Sequence, residues 1–161
     1  MLEGCRTAQE RWGGVNEIID RWLAERQELL VLFCSLSGVK SFQDSDPEYG
    51  PKILKLCQLL VDYVSAGHFE VYENLIEEGR HFEDTEGLKK AADYYQTIDK
   101  TTESLLDFND KYAEIDDLST LVGDLSIMGE TLAHRFEAED QMIDVLHNAH
   151  KHEALSTEKS S

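Results

Sequence analysis

The chain has 161 residues, the length of one domain, and at that size a single core buries roughly 70% of the surface the unfolded chain exposes, without help from disulfide or metal. Its 33 Asp and Glu against 15 Lys and Arg leave a formal charge of −18, which repels phosphate and excludes ordinary nucleic-acid binding and docking on an anionic membrane. A hydrophobic share of 41% separates the chain from disordered acidic tails.

No apolar run approaches the roughly 18 residues of a membrane span, and the opening MLEGCRTAQERWGG has no signal-peptide apolar segment, so a cytoplasmic protein is expected. Cys5, Cys34 and Cys57 stand far apart without a C-x-x-C pair and read as buried or idle thiols.

Proline occurs only at Pro47 and Pro51, so long helices are the default. From Arg11 to Leu36 the apolar residues Trp12, Val15, Ile19, Trp22, Leu29, Phe33 and Leu36 recur at steps of three and four, with Arg26 at the missing position. Gly38 stops this helix, and Ser41 to Pro51 reads as a surface loop. A second helix, Lys52 to about Val64, carries Ile53, Leu56, Leu60 and Tyr63, and a kink or break is expected at Ser65-Ala66-Gly67. A third runs from His68 to Glu78 with Phe69, Tyr72, Leu75 and Ile76. Asp84 or Thr85 caps a fourth, mostly exposed helix through Leu88, Ala91, Tyr95, Ile98, Leu105 and Phe108. The last helix, about Ile115 to His150, repeats Leu118, Leu121, Leu125, Met128, Leu132, Met142 and Leu146, with Arg135 and Glu139 at charged seam positions. The expected architecture is an all-α antiparallel bundle of about five helices, the first and last long. It forms one domain over residues 1–152, followed by a frayed tail over 153–161.

Chemistry has little support. A carboxylate-bridged di-iron site needs Glu-x-x-His on two helices, and only a lone Asp144-Val145-Leu146-His147 occurs, so no metal or cofactor is expected. His147, His150 and His152 read as surface residues answering a helix dipole, and carboxylate pairs such as Glu77-Glu78 as a solvated face. No nucleophile elbow, P-loop or dinucleotide fingerprint is present, and the chain does not read as an enzyme.

The seam charges require partners, because a buried unpaired charge costs several kcal/mol. An Arg26–Glu139 bridge between the first and last helices is expected, with Arg135 one turn from Glu139 and with Asp20 or Asp140 as further partners. Between Asp62 and Asp144, 22 acidic residues face six basic ones, which makes this stretch the electronegative part of the molecule. Such a surface steers a basic partner, and a nucleic-acid-binding domain is one such partner. The run LVDYVSAGHF sets Asp62 and Phe69 beside a helix junction where both can be exposed, while ordinary core packing is the alternative for Tyr63, Phe69 and Tyr72.

Three segments resemble the regulator of sigma D family, Rsd/AlgQ. They are Asp20-Arg21-Trp22-Leu23 through Arg26 and Leu29-Leu30-Val31 to Gly38-Val39-Lys40; LVDYVSAGHF with Tyr72-Glu73; and Arg135-Phe136 with Glu139-Asp140 and Ile143. The opening ERWGGVNEIIDRWL is most similar to the pseudomonad AlgQ branch. The resemblance implies an anti-sigma factor, monomeric and binding 1:1 to region 4 of the primary housekeeping sigma factor, the helix-turn-helix domain that reads promoter DNA and docks on core polymerase. It implies contact through Asp62, Ser65 and Phe69, with Tyr63, His68 and Tyr72 as further candidates. In the AlgQ branch it also implies effects on genes for alginate-type exopolysaccharide and siderophore production. The rival readings are a metal-binding or redox helical bundle and a self-associating structural module.

Overall fold

A computed structural model describes residues 8–114 and 117–159, with side chains as far as Leu155. Helix α1 spans Ala8–Ser37 and buries Val15, Ile19, Trp22, Leu29 and Leu36, the apolar seam of the sequence. Asp46 organises the following loop by accepting from the Glu48 and Tyr49 amides at 2.9 and 3.0 Å. Helix α2, Gly50–Ala66, then begins with Pro51 in its first turn, where a missing N–H is harmless.

No break follows. Gly67–Val71 form one π-helical turn, in which Tyr72 N–H reaches back to Gly67 O, and α3, Tyr72–His81, continues the same rod. The small residues of Ser65-Ala66-Gly67 therefore widen the helix instead of ending it. Gly67 has ordinary helical dihedrals and is required for space: a Cβ there would stand 2.8 Å from the Tyr72 hydroxyl and 3.2 Å from Trp22.

Helix α4, Thr85–Tyr112, is capped by Asp84, whose carboxylate accepts from the Gly87 amide at 2.8 Å. It is less exposed than its polar composition suggests, since Ala91, Ile98, Leu105 and Tyr112 recur every seventh residue as a buried stripe against α5. Helix α5 covers Leu121–Leu146, a shorter span than the expected Ile115–His150; Ile115 lies outside the described residues. A 3-10 turn, Asn148–His150, leads to α6, Lys151–Lys159. Helical structure thus extends through residues expected to fray, because α6 packs on α1 and buries Ala154.

Among the described residues the bundle consists of four rods, α1, α2 with α3, α4 and α5, and the short α6. Pairs such as Lys111–Asp124 and Arg135–Ile98 set α4 antiparallel to α5, and Arg26–Glu139 with Trp12–His147 do the same for α1 and α5. No helix among the described residues is long and apolar enough to cross a membrane.

Candidate partner-binding surface

The π turn decides which residues point where. On a regular helix Tyr63 and Tyr72, nine positions apart, would lie about 180° from each other; absorbing one residue in the wide turn brings them to within about 80°. Both phenols consequently reach the same carboxylate. Glu139 Oε1 accepts from Tyr63 at 2.5 Å and from Arg26 at 3.2 Å, and Oε2 accepts from Tyr72 and from Arg135 Nε at 3.2 Å. Arg135, fully buried, spends its remaining donors on Ile98 O, Thr101, Thr102 and the Tyr72 hydroxyl at 2.8 to 3.2 Å. Arg26 also bonds Tyr63 and, at the surface, Asp140 at 2.7 Å.

Every rod contributes to this interior network. Burial pushes the Glu139 carboxyl up, against the pull of Arg135, the two phenols and Arg26. Burial and the neighbouring carboxylate push both tyrosines up, so they stay protonated donors. Trp22 closes the network by stacking on Tyr63, with centroids 4.7 Å apart and planes 1° from parallel. Asp20, expected as a partner, is exposed on α1 and is not among the network's hydrogen-bond partners in the described residues.

Tyr63 and Tyr72, candidates for partner contact, are core residues at 0% and 2% exposure and cannot meet a partner in this fold. His68 also turns inward. It is half-buried, with Nε2 2.8 Å from Thr102 Oγ1 and its ring edge-on to Tyr72 and Tyr95, and burial followed by Arg135 lowers its proton affinity.

Phe69 emerges on the opposite side of the same turn and is 79% exposed, the most exposed large apolar side chain among the described residues. Asp62, two turns before it, is exposed, and Ser65, one turn before it, is half-buried. Across on α1, Glu25 faces this segment, with Glu28 one turn along its own helix. Burial and then the charges of Asp62, Glu28 and Glu70 raise the Glu25 carboxyl, which puts these carboxylates in one electrostatic neighbourhood. Arg21 lies 3.7 Å from Glu70 at its rim. The surface is an exposed aromatic on a rod that also carries Asp62 and Glu70, two carboxylates that act on Glu25 of α1. The sequence reading missed Glu25, Glu28 and Glu70; the spacing of Glu25 and Glu28 on one face of α1 was the available signal.

A second polar cluster was also missed. Glu78, His147 and His150 are buried, not the solvated carboxylate and surface histidines expected. Cys57 is buried, with its thiol pushed up to about 11 by burial; Cys34 is exposed, and Cys5 lies outside the described residues. Among the described residues, no group of three or more His, Cys, Asp or Glu side chains is placed to hold a metal ion.

A family model described as "Regulator of RNA polymerase sigma(70) subunit, Rsd/AlgQ" matches residues 1–147. A regulator of sigma D from Yersinia pseudotuberculosis is 38% identical over 150 residues, covering 89% of this chain and 87% of the relative. Its counterpart from Yersinia enterocolitica is 37% identical, covering 89% and 88%, and that from Enterobacter sp. (strain 638) is 36% identical over 148 residues, covering 89% and 88%. With a match of this extent, the chain belongs to the Rsd/AlgQ family of RNA polymerase sigma(70) regulators.

Proposed function

We propose that this protein is an anti-sigma factor that holds region 4 of the primary housekeeping sigma factor on the Phe69 surface. Region 4 is thereby kept from promoter DNA and core polymerase. The observation that carries the reading is the 79% exposure of Phe69 on a rod whose Asp62 and Glu70 share an electrostatic neighbourhood with Glu25 of α1. A large aromatic held clear of the core by a rigid helical turn is a ready anchor, because little conformational entropy remains to be lost on docking. The surrounding carboxylates suit the positive face that a helix-turn-helix domain presents to DNA, and they steer its approach. Ser65, small and half-buried, lets a partner helix come close.

The mode of action is occupancy. Family membership supports a sigma-directed regulator, and the buried tyrosines and arginines of the interior are locked into structural hydrogen bonds. A 1:1 complex of a monomer in the cytoplasm, shifting polymerase toward alternative sigma factors, completes the reading. Promoter-reach effects on exopolysaccharide and siderophore genes would follow from that shift. The test is competition: fluorescent region 4 bound to promoter duplex should be released stoichiometrically by the native protein and poorly by Phe69→Ala. Release by Phe69→Ala equal to that by the native chain would remove Phe69 from the contact.

A further inference from the structure

At the end of the bundle opposite the α1–α2 loop, α1, α3, α4, α5 and α6 meet around two histidines. His147, the residue that terminates α5, places Nδ1 2.7 Å from Glu78 Oε2 of α3 and Nε2 3.0 Å from Asn16 Oδ1 of α1. An amide oxygen only accepts, so Nε2 carries a hydrogen. Nδ1 would then turn a lone pair on the Glu78 carboxylate unless a further proton lies between them. One shared proton therefore holds the bridge, whether it resides on the ring or on the carboxyl.

That proton matters because both side chains are 1% exposed and Glu78 Oε1 has no hydrogen-bond partner among the described residues. His150 repeats the pattern at the rim. Its Nδ1 faces the Leu146 carbonyl at 2.9 Å and its Nε2 faces Asp84 Oδ2 at 2.8 Å, both acceptors. The cluster is tied to α1 by Trp12, which stacks on His147 at 4.2 Å and 5° and donates Nε1–H to the His147 carbonyl at 2.9 Å.

His150 also acts on Glu78, lowering its carboxyl, while several other charged groups of the packed elements have partners outside the bridge. On α1, Arg11 bonds His81 of α3 at 2.7 Å, and on α3 Glu77 pairs with Arg80 at 2.6 Å. On α5, Asp144 accepts from Asn148 at 2.6 Å. Lys90 of α4 acts on Asp84, and Lys151 of α6 lies over the Trp12 ring at 5.9 Å.

We propose that the Glu78–His147 bridge is a proton-dependent latch, and that loss of its shared proton as pH rises releases the α5 C-terminus, the 3-10 turn and α6 from α1. The central network keeps the rest of the bundle closed, since guanidinium groups do not titrate in this range. Burial, opposed by His147, raises the Glu78 carboxyl. A group that holds its proton more tightly when folded contributes stability below its ordinary range and loses it as pH rises, the same direction as the latch.

The test is backbone amide exchange of the full chain between about pH 6 and pH 9.5, spanning the histidine range and corrected for intrinsic rates, together with ring-nitrogen NMR of His147. Protection of amides 146–154 should fall by about tenfold or more over the interval in which the bridge loses its proton, while amides 132–139 hold. Glu78→Gln, whose amide can donate to a neutral ring, should flatten the dependence. Unchanged protection in the native chain overturns the latch, as does a fall with no titration at the bridge. An identical dependence in Glu78→Gln overturns it too.

Discussion

Arg26 of α1 and Glu139 of α5, 113 positions apart in sequence, meet at 3.2 Å in the centre of the bundle, with Arg26 12% and Glu139 0% exposed. Glu139 has a donor on each face: guanidinium from α1 and from its own helix, phenols from α2 and α3. A pair of this kind fixes how α1 registers against α5, because sliding either helix by one turn would strand a buried charge.

Removing that carboxylate should be severe. Glu139→Ala leaves Arg135 at 0% exposure with no counter-charge, and the expected loss is about 3–5 kcal/mol of unfolding free energy, measured by urea denaturation. A loss below about 1 kcal/mol would show that the network does not hold the bundle.

Glycines in this chain should respond in opposite directions. Gly67→Ala drives a methyl to 2.8 Å from Tyr72 and 3.2 Å from Trp22, rings that are fixed by the network, and should cost about 1–3 kcal/mol. Gly13→Ala, with open space around it inside α1, should stabilise by about 0.5–1 kcal/mol. Thermal melts of the two variants check both signs.

Acid should act through the α4 cap. The Gly87 amide, with His150 assisting, holds the Asp84 carboxyl below its ordinary value. Its contribution is therefore present at neutral pH and lost as pH falls through the depressed value. Asp84→Ala should cost about 1 kcal/mol at pH 7 and less once the pH is low enough to protonate the carboxyl, read from urea midpoints at the two pH values. An equal cost at both would mean that the cap's charge is irrelevant.

Charge reversal on α1 should separate steering from anchoring. Glu25→Lys with Glu28→Lys should slow association with sigma region 4 several-fold at low salt, and the difference should vanish at high salt, while dissociation changes little. Stopped-flow rates at two ionic strengths decide it.

The seam residues of α1 and α5 were legible in the sequence because a 3.6-residue period exposes any charge that interrupts it, and Arg26, Arg135 and Glu139 do. The π turn was not legible. Its local signature, Ser65-Ala66-Gly67, is also that of a broken helix, and only the tertiary demand that Tyr63 and Tyr72 share one carboxylate distinguishes the two. Once that turn is known, the inward Tyr72 and outward Phe69 follow from geometry. Glu78 and His147 escaped for a different reason: each looks solvated within its own helix, and burial arises where five elements converge at the bundle end.

The most direct test is calorimetric titration of the native protein and Phe69→Ala with isolated sigma region 4, with circular dichroism and melting of both proteins. The prediction is 1:1 binding by the native chain, weakened by about 2 kcal/mol or more in the variant, whose helical signal and melting temperature are unchanged because Phe69 is 79% exposed. No binding by the native chain at micromolar concentration, or equal binding by a well-folded variant, would contradict it.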